Sequence, residues 1–143
     1  MFMGEYNHTL DPKNRIIVPA KFREDLGETF IMSAGFDGCL YLTPKTNWDV
    51  FTQKLAALPF TAETRKLQRH FMRNSMECEP DKQGRILIPQ NLKELAGLEK
   101  DVVMIGSITK IEIWSKEKLD ESYDGESMDA TAEKLFADNN LSL

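Results

Sequence analysis

Residues 11–23 read DPKNRIIVPAKFR, and residues 81–93 read DKQGRILIPQNLK. An aspartate, an arginine, an isoleucine and a proline occupy the same places in both stretches, which lie 70 residues apart. In each, a polar turn precedes a short β-branched run and a proline, which predicts a strand followed by the first turn of a helix. The chain is therefore a tandem repeat, and the repeated unit decides the fold.

The same order of elements is predicted in both repeats. The polar turn should join Glu5–Leu10 to Arg15–Val18, and Ser75–Glu79 to Arg85–Ile88, as two β-hairpins. Asn14 and Gly84 occupy the same slot in the turn, and both residue types tolerate a left-handed backbone. A short helix and two further strands follow each hairpin: Ala20–Leu26, Thr29–Ser33 and Cys39–Thr43 first, then Gln90–Ala96, Val102–Gly106 and Ile111–Trp114.

Helices are predicted between and after the repeats. Trp48, Phe51 and Leu55 have helical spacing up to a stop at Pro59. Thr61 is the expected N-cap of a second helix. That helix should reach about residue 72, with further helices over 115–119 and 132–137 and a loose segment over 125–131.

One unit of about 70 residues buries only a thin core by itself. Two such units are expected to clasp each other around one shared core, as a small barrel or sandwich of α+β class that is mainly β. The expected boundaries are a first unit over 1–60, a connecting helix over 61–74, a second unit over 75–124 and an acidic segment over 125–143.

The net charge of −5 is unevenly distributed. Residues 112–143 hold nine acids against three lysines, so the first 111 residues carry a net charge of +1. This asymmetry occurs in nucleic-acid binders, and an acidic end that only aids solubility is an equal alternative. The chain has two cysteines in unrelated contexts, no leader-like start and no apolar run of membrane-helix length, which favours a reduced cytoplasmic protein.

An arginine leaves each predicted turn, Arg15 in the first repeat and Arg85 in the second, with Lys13 and Lys82 nearby. A two-stranded β-ribbon fits the major groove of DNA, where a guanidinium can donate two hydrogen bonds to O6 and N7 of guanine. Lysines beside the ribbon would neutralise phosphates. These four residues are therefore candidates for contact with double-stranded DNA.

Asp11 and Asp81 each precede an arginine by four residues. Each carboxylate is expected to brace its turn, through the arginine side chain or through backbone amides. The alternative is a pair of Asp–Arg salt bridges that staple the hairpins without any partner. The recurrence of the pairing in one chain favours the functional interpretation.

Two of the predicted helices carry a stripe of similar residues along one face, and each stripe has two interpretations. Arg65, Arg69 and Arg73 recur every four residues, either as a rail for DNA phosphates or as a face that is solvated or paired with acids such as Glu77. The apolar stripe that begins at Trp48 is either ordinary core or a plug between subunits.

No catalytic or metal-binding pattern is found. The chain has no glycine-rich phosphate loop, no serine elbow and no nucleophile placed with a base. Its two histidines and two cysteines lack the spacing of metal ligands. We therefore expect no enzyme, no cofactor, no metal and no small-molecule ligand, and a structural scaffold is the main rival to a DNA-binding protein.

The motifs Asp11-x-x-x-Arg15 and Asp81-x-x-x-Arg85, each followed by apolar residues and proline, resemble the AbrB-type swapped-hairpin DNA-binding fold. The opening MFMG, the Glu77-Cys78 pair before the second motif, the duplication and the length are similar to the MraZ family. The resemblance covers the chain up to about Trp114.

The resemblance implies a cytoplasmic, nucleoid-associated transcription regulator that assembles into a ring-shaped homo-oligomer. Members of the family bind short repeats upstream of their own gene, at the head of the division and cell-wall gene cluster. The implied fold is a double-psi-like small barrel of two swapped hairpins with flanking helices. Head-to-tail contacts around a ring predict direct repeats in the DNA, with centres about one helical turn apart.

Carried onto this chain, the resemblance makes Arg15 the first DNA-contact residue and Arg85 the second. Lys13 and Asn14 are supporting contacts, and Lys82 is a weaker one because acids surround it. The second turn has Gln83-Gly84 where the first has Lys13-Asn14. This difference leaves open that Arg15 reads the DNA while Arg85 is structural.

Overall fold

Both repeats fold in the predicted order of elements in the computed structural model, which describes residues 1–123, 125 and 127–143. The first repeat contains β1 (Glu5–Thr9), β2 (Arg15–Ile17), α1 (Ala20–Leu26), β3 (Phe30–Ala34) and β4 (Leu40–Pro44). Two helices follow, α2 (Lys45–Ala56) and α3 (Ala62–Arg73). The second repeat contains β5 (Ser75–Cys78), β6 (Arg85–Leu87), α4 (Gln90–Leu95), β7 (Asp101–Ser107) and β8 (Lys110–Ser115), and α5 (Lys116–Ser122) and α6 (Met128–Asp138) follow it.

The first residues of three helices show where signals in the local sequence were sufficient to predict a helix start. Thr61 caps α3 as predicted, because its hydroxyl accepts a hydrogen bond of 3.1 Å from the backbone amide of Thr64. α2 begins at Lys45, directly after Pro44 and three residues before the apolar stripe that predicted it, and it ends at Ala56, before the predicted stop at Pro59. α6 begins at Met128, inside the segment expected to be loose, and none of its residues is buried. Within the described ranges, no helix has the length and apolar character needed to cross a membrane.

Strands of the two repeats are interleaved in one antiparallel sheet of six strands, in the order β1-β7-β8-β4-β3-β5. The first strand of each repeat pairs with the third strand of the other, β1 with β7 and β5 with β3. At the centre β4 pairs with β8. Outside this sheet β2 pairs with β6 and forms a two-stranded element, called here the β2–β6 ribbon. If each strand is replaced by its counterpart in the other repeat, the same strand pairs are obtained. The two repeats are therefore related by a pseudo-two-fold axis.

The predicted pairing within each hairpin is wrong. The turn after β1 closes locally, but β1 and β2 then pair with different strands of the second repeat. The predicted small barrel does not close, because β2 and β6 pair with one another and not with either edge of the six-stranded sheet. The large sheet stays open, with β1 and β5 as its two edge strands.

One hydrophobic cluster joins the six-stranded sheet, the β2–β6 ribbon and the helices α1 and α4. Ile16 and Ile86 face each other in the ribbon and are 1% and 2% exposed. Phe22 of α1 and Leu92 of α4 belong to the same cluster and are also buried. Each repeat thus covers the apolar residues of the other, and this shared core is thicker than the one that a unit of about 70 residues builds alone.

Replacing Ile16 by alanine should lower the free energy of unfolding by about 2–5 kcal/mol, because it opens a cavity where both repeats meet. The matched control is Ile17→Ala, which removes the neighbouring side chain on the exposed face and should cost about 0.5–1 kcal/mol. Urea denaturation followed by circular dichroism at one protein concentration measures both. Equal losses for the two variants would contradict the assignment of Ile16 to the shared core.

Candidate nucleic-acid interface

The two repeated turns have the same backbone hydrogen bonds. In the first, the amide of Asp11 donates to the carbonyl of Arg15 at 3.0 Å, and the amide of Asn14 donates to the carbonyl of Asp11 at 2.9 Å. Asp81, Gly84 and Arg85 repeat these bonds at 2.9 Å. Asn14 and Gly84 have φ values of 60° and 78°, the left-handed region expected from their residue types.

Each turn aspartate holds both the turn and the arginine. Asp11 accepts from the amides of Lys13 and Arg15 through one oxygen, at 2.9 and 2.8 Å, and from Arg15 Nε through the other at 2.7 Å. Asp81 accepts from the amides of Gln83 and Arg85, both at 2.9 Å, and from Arg85 Nε at 2.8 Å. The expected bracing role of Asp11 and Asp81 therefore has a specific geometry, and it is the same in both repeats.

The ion pairs engage the guanidinium groups by Nε. Within residues 1–123, 125 and 127–143, no hydrogen bond is made by the terminal Nη atoms of Arg15 or Arg85. Both side chains are partly exposed, 31% for Arg15 and 27% for Arg85. The Nη pair is the part of arginine that grips O6 and N7 of guanine, so the braced arginines retain the groups needed for that contact.

The ribbon brings the two turns side by side. Its ladder pairs Arg15 with Leu87 and Ile17 with Arg85, and all four side chains lie on the outer face because their neighbours Ile16 and Ile86 point into the core. The two arginines are diagonal neighbours, for which the spacing across a ladder is about 7–8 Å. Lys13 and Lys82 are exposed at the turns themselves.

Contacts between the repeats fix one turn against the other. Val18 donates its amide hydrogen to the carbonyl of Gly84 at 2.9 Å, and Ile88 donates to the carbonyl of Asn14 at 2.8 Å. Lys93 Nζ of α4 donates to the side-chain oxygen of Asn14 at 2.9 Å. Arg23 holds the position equivalent to Lys93, and its guanidinium lies where a side chain on Gly84 would begin.

Arg23 and Lys93 were missed by reasoning from the sequence. Each is a cation eight residues after the turn arginine of its own repeat, and each contacts the turn of the other repeat. The repeated spacing was a signal for both residues. Their contacts were not predictable, because the predicted hairpins placed each helix beside its own turn.

The basic stripe of α3 lies apart from the ribbon contacts. Arg65, Arg69 and Arg73 are exposed, and the Arg65 guanidinium sits 5.0 Å from the ring centre of Phe60. Arg69 and Arg73 line a shallow polar depression together with Asn91 at the start of α4. Glu77 pairs with Lys45 at 2.7 Å, so the suggested partner of the stripe is engaged elsewhere.

Aromatic side chains line a groove of about 640 Å³ beside α2. Trp48 and Phe51 are half-buried along it, and Phe51 packs edge-on against Phe71 of α3 with ring centres 5.1 Å apart. Leu55 is buried. The apolar stripe of α2 thus contributes to the packing of α2 on α3 and also leaves aromatic surface open.

Comparison with known proteins identifies the family. The family model described as "MraZ protein, putative antitoxin-like" matches the chain twice, over residues 1–70 and 71–139. The chain belongs to the MraZ family. The two matches together span nearly the whole sequence, and they divide it into the same two repeats that the turns define.

Named MraZ relatives align over most of their own length. A "Transcriptional regulator MraZ" from Lachnoclostridium phytofermentans is 54% identical over 136 residues, which cover 94% of this chain and 95% of the relative. One from Clostridium beijerinckii is 53% identical over 137 residues, covering 94% and 96%. One from Pelotomaculum thermopropionicum is 48% identical over 147 residues and covers both chains fully. These names describe a regulator and not an enzyme.

Replacing Gly84 by alanine should destabilise the protein for two separate reasons. The positive φ costs a side chain about 1–2 kcal/mol, and the added Cβ also collides with the Arg23 guanidinium. In an Arg23→Ala background only the backbone strain remains, so the same substitution should cost less. A double-mutant cycle by urea denaturation measures the coupling, which should exceed about 0.5 kcal/mol. Additive effects would show that Arg23 does not pack on the turn.

Acid should weaken both turns. Partial desolvation raises the pKa of Asp11, but hydrogen bonds from the Arg15 amide, the Arg15 side chain and the Lys13 amide outweigh it and hold this pKa below its ordinary value of 3.8. The Arg85 amide is the largest cause of the lowered pKa of Asp81, which desolvation opposes and the Arg85 side chain and Gln83 amide reinforce.

Because the unfolded chain binds these protons at higher pH than the folded chain, the stabilisation is present above about pH 4 and is lost as the pH falls through the lowered pKa values. Carbon NMR titration of the carboxyl signals measures both midpoints, with Asp11→Asn and Asp81→Asn to assign them. A midpoint at or above 3.8 for either group would contradict the bracing geometry.

Proposed function

We propose that this chain is a sequence-specific DNA-binding regulator of transcription that reads the major groove with the outer face of the β2–β6 ribbon. One observation carries the proposal: two arginines on one ribbon face are each held at Nε by a turn aspartate and keep their Nη groups available. Such a ribbon has the width of the major groove, and guanine presents two acceptors there to a guanidinium. The names of the relatives support the same function.

The proposed roles follow from the contacts of each residue. Arg15 and Arg85 contact guanine, and we assign this role to both because their aspartates hold them in the same way. Lys13 and Lys82 neutralise phosphates beside the groove. Asn14 is a supporting contact that uses its amide nitrogen, since its side-chain oxygen already accepts from Lys93. Asp11 and Asp81 position the arginines and do not touch the DNA.

The paired turns form, in this proposal, a DNA-binding unit of the AbrB-type swapped-hairpin kind within one chain. The exchange of strands between the repeats supports it, because each turn is held by strands of both repeats. Two turns related by a pseudo-two-fold axis act on one stretch of groove, and contacts between the repeats hold them side by side.

We further propose that protomers assemble into a ring and bind direct repeats in the promoter of their own operon, within the division and cell-wall gene cluster. The aromatic groove beside α2 and the exposed Phe36 and Phe60, 65% and 81% accessible, are suitable for contacts between protomers. In a ring, head-to-tail contacts present successive ribbons in the same orientation. Several linked ribbons bind far more tightly than one, through effective concentration. The protein would then reside in the cytoplasm on the nucleoid.

The variants Arg15→Ala and Arg15→Lys distinguish recognition of the bases from electrostatic attraction to the phosphates. Arg15→Lys keeps the positive charge but cannot donate the paired hydrogen bonds of a guanidinium, so binding to non-specific DNA should persist while preference for the promoter falls about 5–150-fold. Arg15→Ala should lose the preference and also flatten the salt dependence by about one phosphate contact. Fluorescence anisotropy with promoter and scrambled duplexes at several salt concentrations measures this.

The same measurements distinguish the regulator from a ring-forming scaffold without specific DNA binding. Light scattering should give the same particle size for wild type and both Arg15 variants, since Arg15 lies on the ribbon and not in the groove beside α2. A wild-type protein that binds promoter and scrambled DNA equally, with no salt dependence, would favour the scaffold and reject the proposal.

A further inference from the structure

The outer face of the β2–β6 ribbon carries two aliphatic residues that its charge does not explain. Ile17 is 48% exposed and Leu87 is 54% exposed, although they stand between arginines on a face open to solvent. Packing of the core does not require aliphatic residues at these two positions, because Ile16 and Ile86 already fill the inward positions of the ribbon. The same arrangement occurs in both repeats, as Arg15-Ile-Ile17 and Arg85-Ile-Leu87.

The ladder places each aliphatic side chain directly opposite an arginine. Leu87 faces Arg15, and Ile17 faces Arg85. Side chains opposite each other on one face of a ladder have Cβ atoms about 4.5–5.5 Å apart. Successive bases along a DNA strand are separated by about 3.4 Å, so each arginine–aliphatic pair has the span needed to meet two neighbouring base pairs. One pair therefore offers a guanidinium to one base and an apolar group to the next.

We infer that Ile17 and Leu87 contact the C5 methyl groups of thymines next to the guanines read by Arg85 and Arg15. The thymine methyl is the apolar group that the major groove displays, and aliphatic side chains recognise it by contact. This inference rests on the proposed function, since it requires the ribbon to lie in the major groove. It adds a second base type to the sequence that each turn reads.

The surroundings of the pair favour DNA over a protein partner. Lys13 and Lys82 flank the face, and the aspartates closest to it in sequence, Asp11 and Asp81, are already paired with the arginines. Two aliphatic side chains are a small apolar area, far below the roughly 1,000 Å² of a stable protein–protein interface. A polyanion with isolated methyl groups matches this combination of charge and apolar surface.

The test uses duplexes that carry the promoter site selected by the full-length protein from random DNA. Each thymine is replaced in turn by deoxyuridine, which pairs identically and lacks only the methyl group. Wild-type protein should lose affinity about fourfold per contacted methyl, and only at thymines adjacent to guanines that binding requires. Ile17→Ala should no longer distinguish thymine from deoxyuridine beside the guanine read by Arg85, and Leu87→Ala should no longer distinguish them beside the guanine read by Arg15. At the other thymine, each variant should still lose affinity when the methyl group is removed.

Leu67→Ala is the matched control, because it removes an exposed aliphatic side chain of α3 that is 40% accessible. It should keep the full response to deoxyuridine. Thermal denaturation and light scattering check that each variant keeps the fold and particle size of wild type.

Each outcome bears on one claim. If wild type prefers the selected site over scrambled DNA but no deoxyuridine changes its affinity, or if the selected site has no thymine beside its guanines, the inference is overturned and the proposed function stands. A change of particle size in Ile17→Ala without a deoxyuridine effect in wild type also overturns it and assigns the pair to contacts between copies. If wild type shows no preference for any site, the proposed function itself fails.

Discussion

Antiparallel pairing of β2 with β6 is the interaction on which the rest of the structure depends. It sets Ile16 against Ile86 at the pseudo-two-fold axis, inside a core to which both repeats contribute. The same pairing forces the four neighbouring side chains outward, so that burial of two isoleucines determines which face presents the arginines. Burial of the ribbon's inner face thus contributes to stability and also fixes the orientation of the candidate DNA-binding surface.

The two turns differ in sequence because their partners differ in size. Asn14 receives the shorter cation, Lys93, through a hydrogen bond, whereas Gly84 leaves room for the longer Arg23. Each turn and the helix of the opposite repeat therefore form a complementary pair, and a change in one requires a change in the other. The Asp–Arg bracing is nevertheless the same on both sides, so the difference in turn sequence does not change how the two arginines are held.

The local sequence was sufficient to predict the helices and strands, whereas the pairing of the strands depends on contacts between distant parts of the chain. The left-handed slots at Asn14 and Gly84, the cap at Thr61 and the span of α1 follow from residue chemistry within a few positions, and the structure has them where expected. The partners of β1 and β2 depend instead on which arrangement buries the apolar faces of both repeats, and no short window contains that information. The candidate site follows the same division: the Asp–Arg pairs were predictable from spacing, whereas Arg23 and Lys93 reach the turns only because the strands are exchanged.

The claim that both arginines of one chain read guanines in the major groove is tested most directly by atomic substitution in the DNA. Replacing each guanine of the selected site by 7-deazaguanine removes the N7 acceptor from the major groove and preserves base pairing. Affinity should fall about 5–150-fold at two guanines within a few base pairs of each other, one read by Arg15 and one by Arg85. Unchanged affinity at every guanine, in a protein that still prefers this site over scrambled DNA, would contradict it.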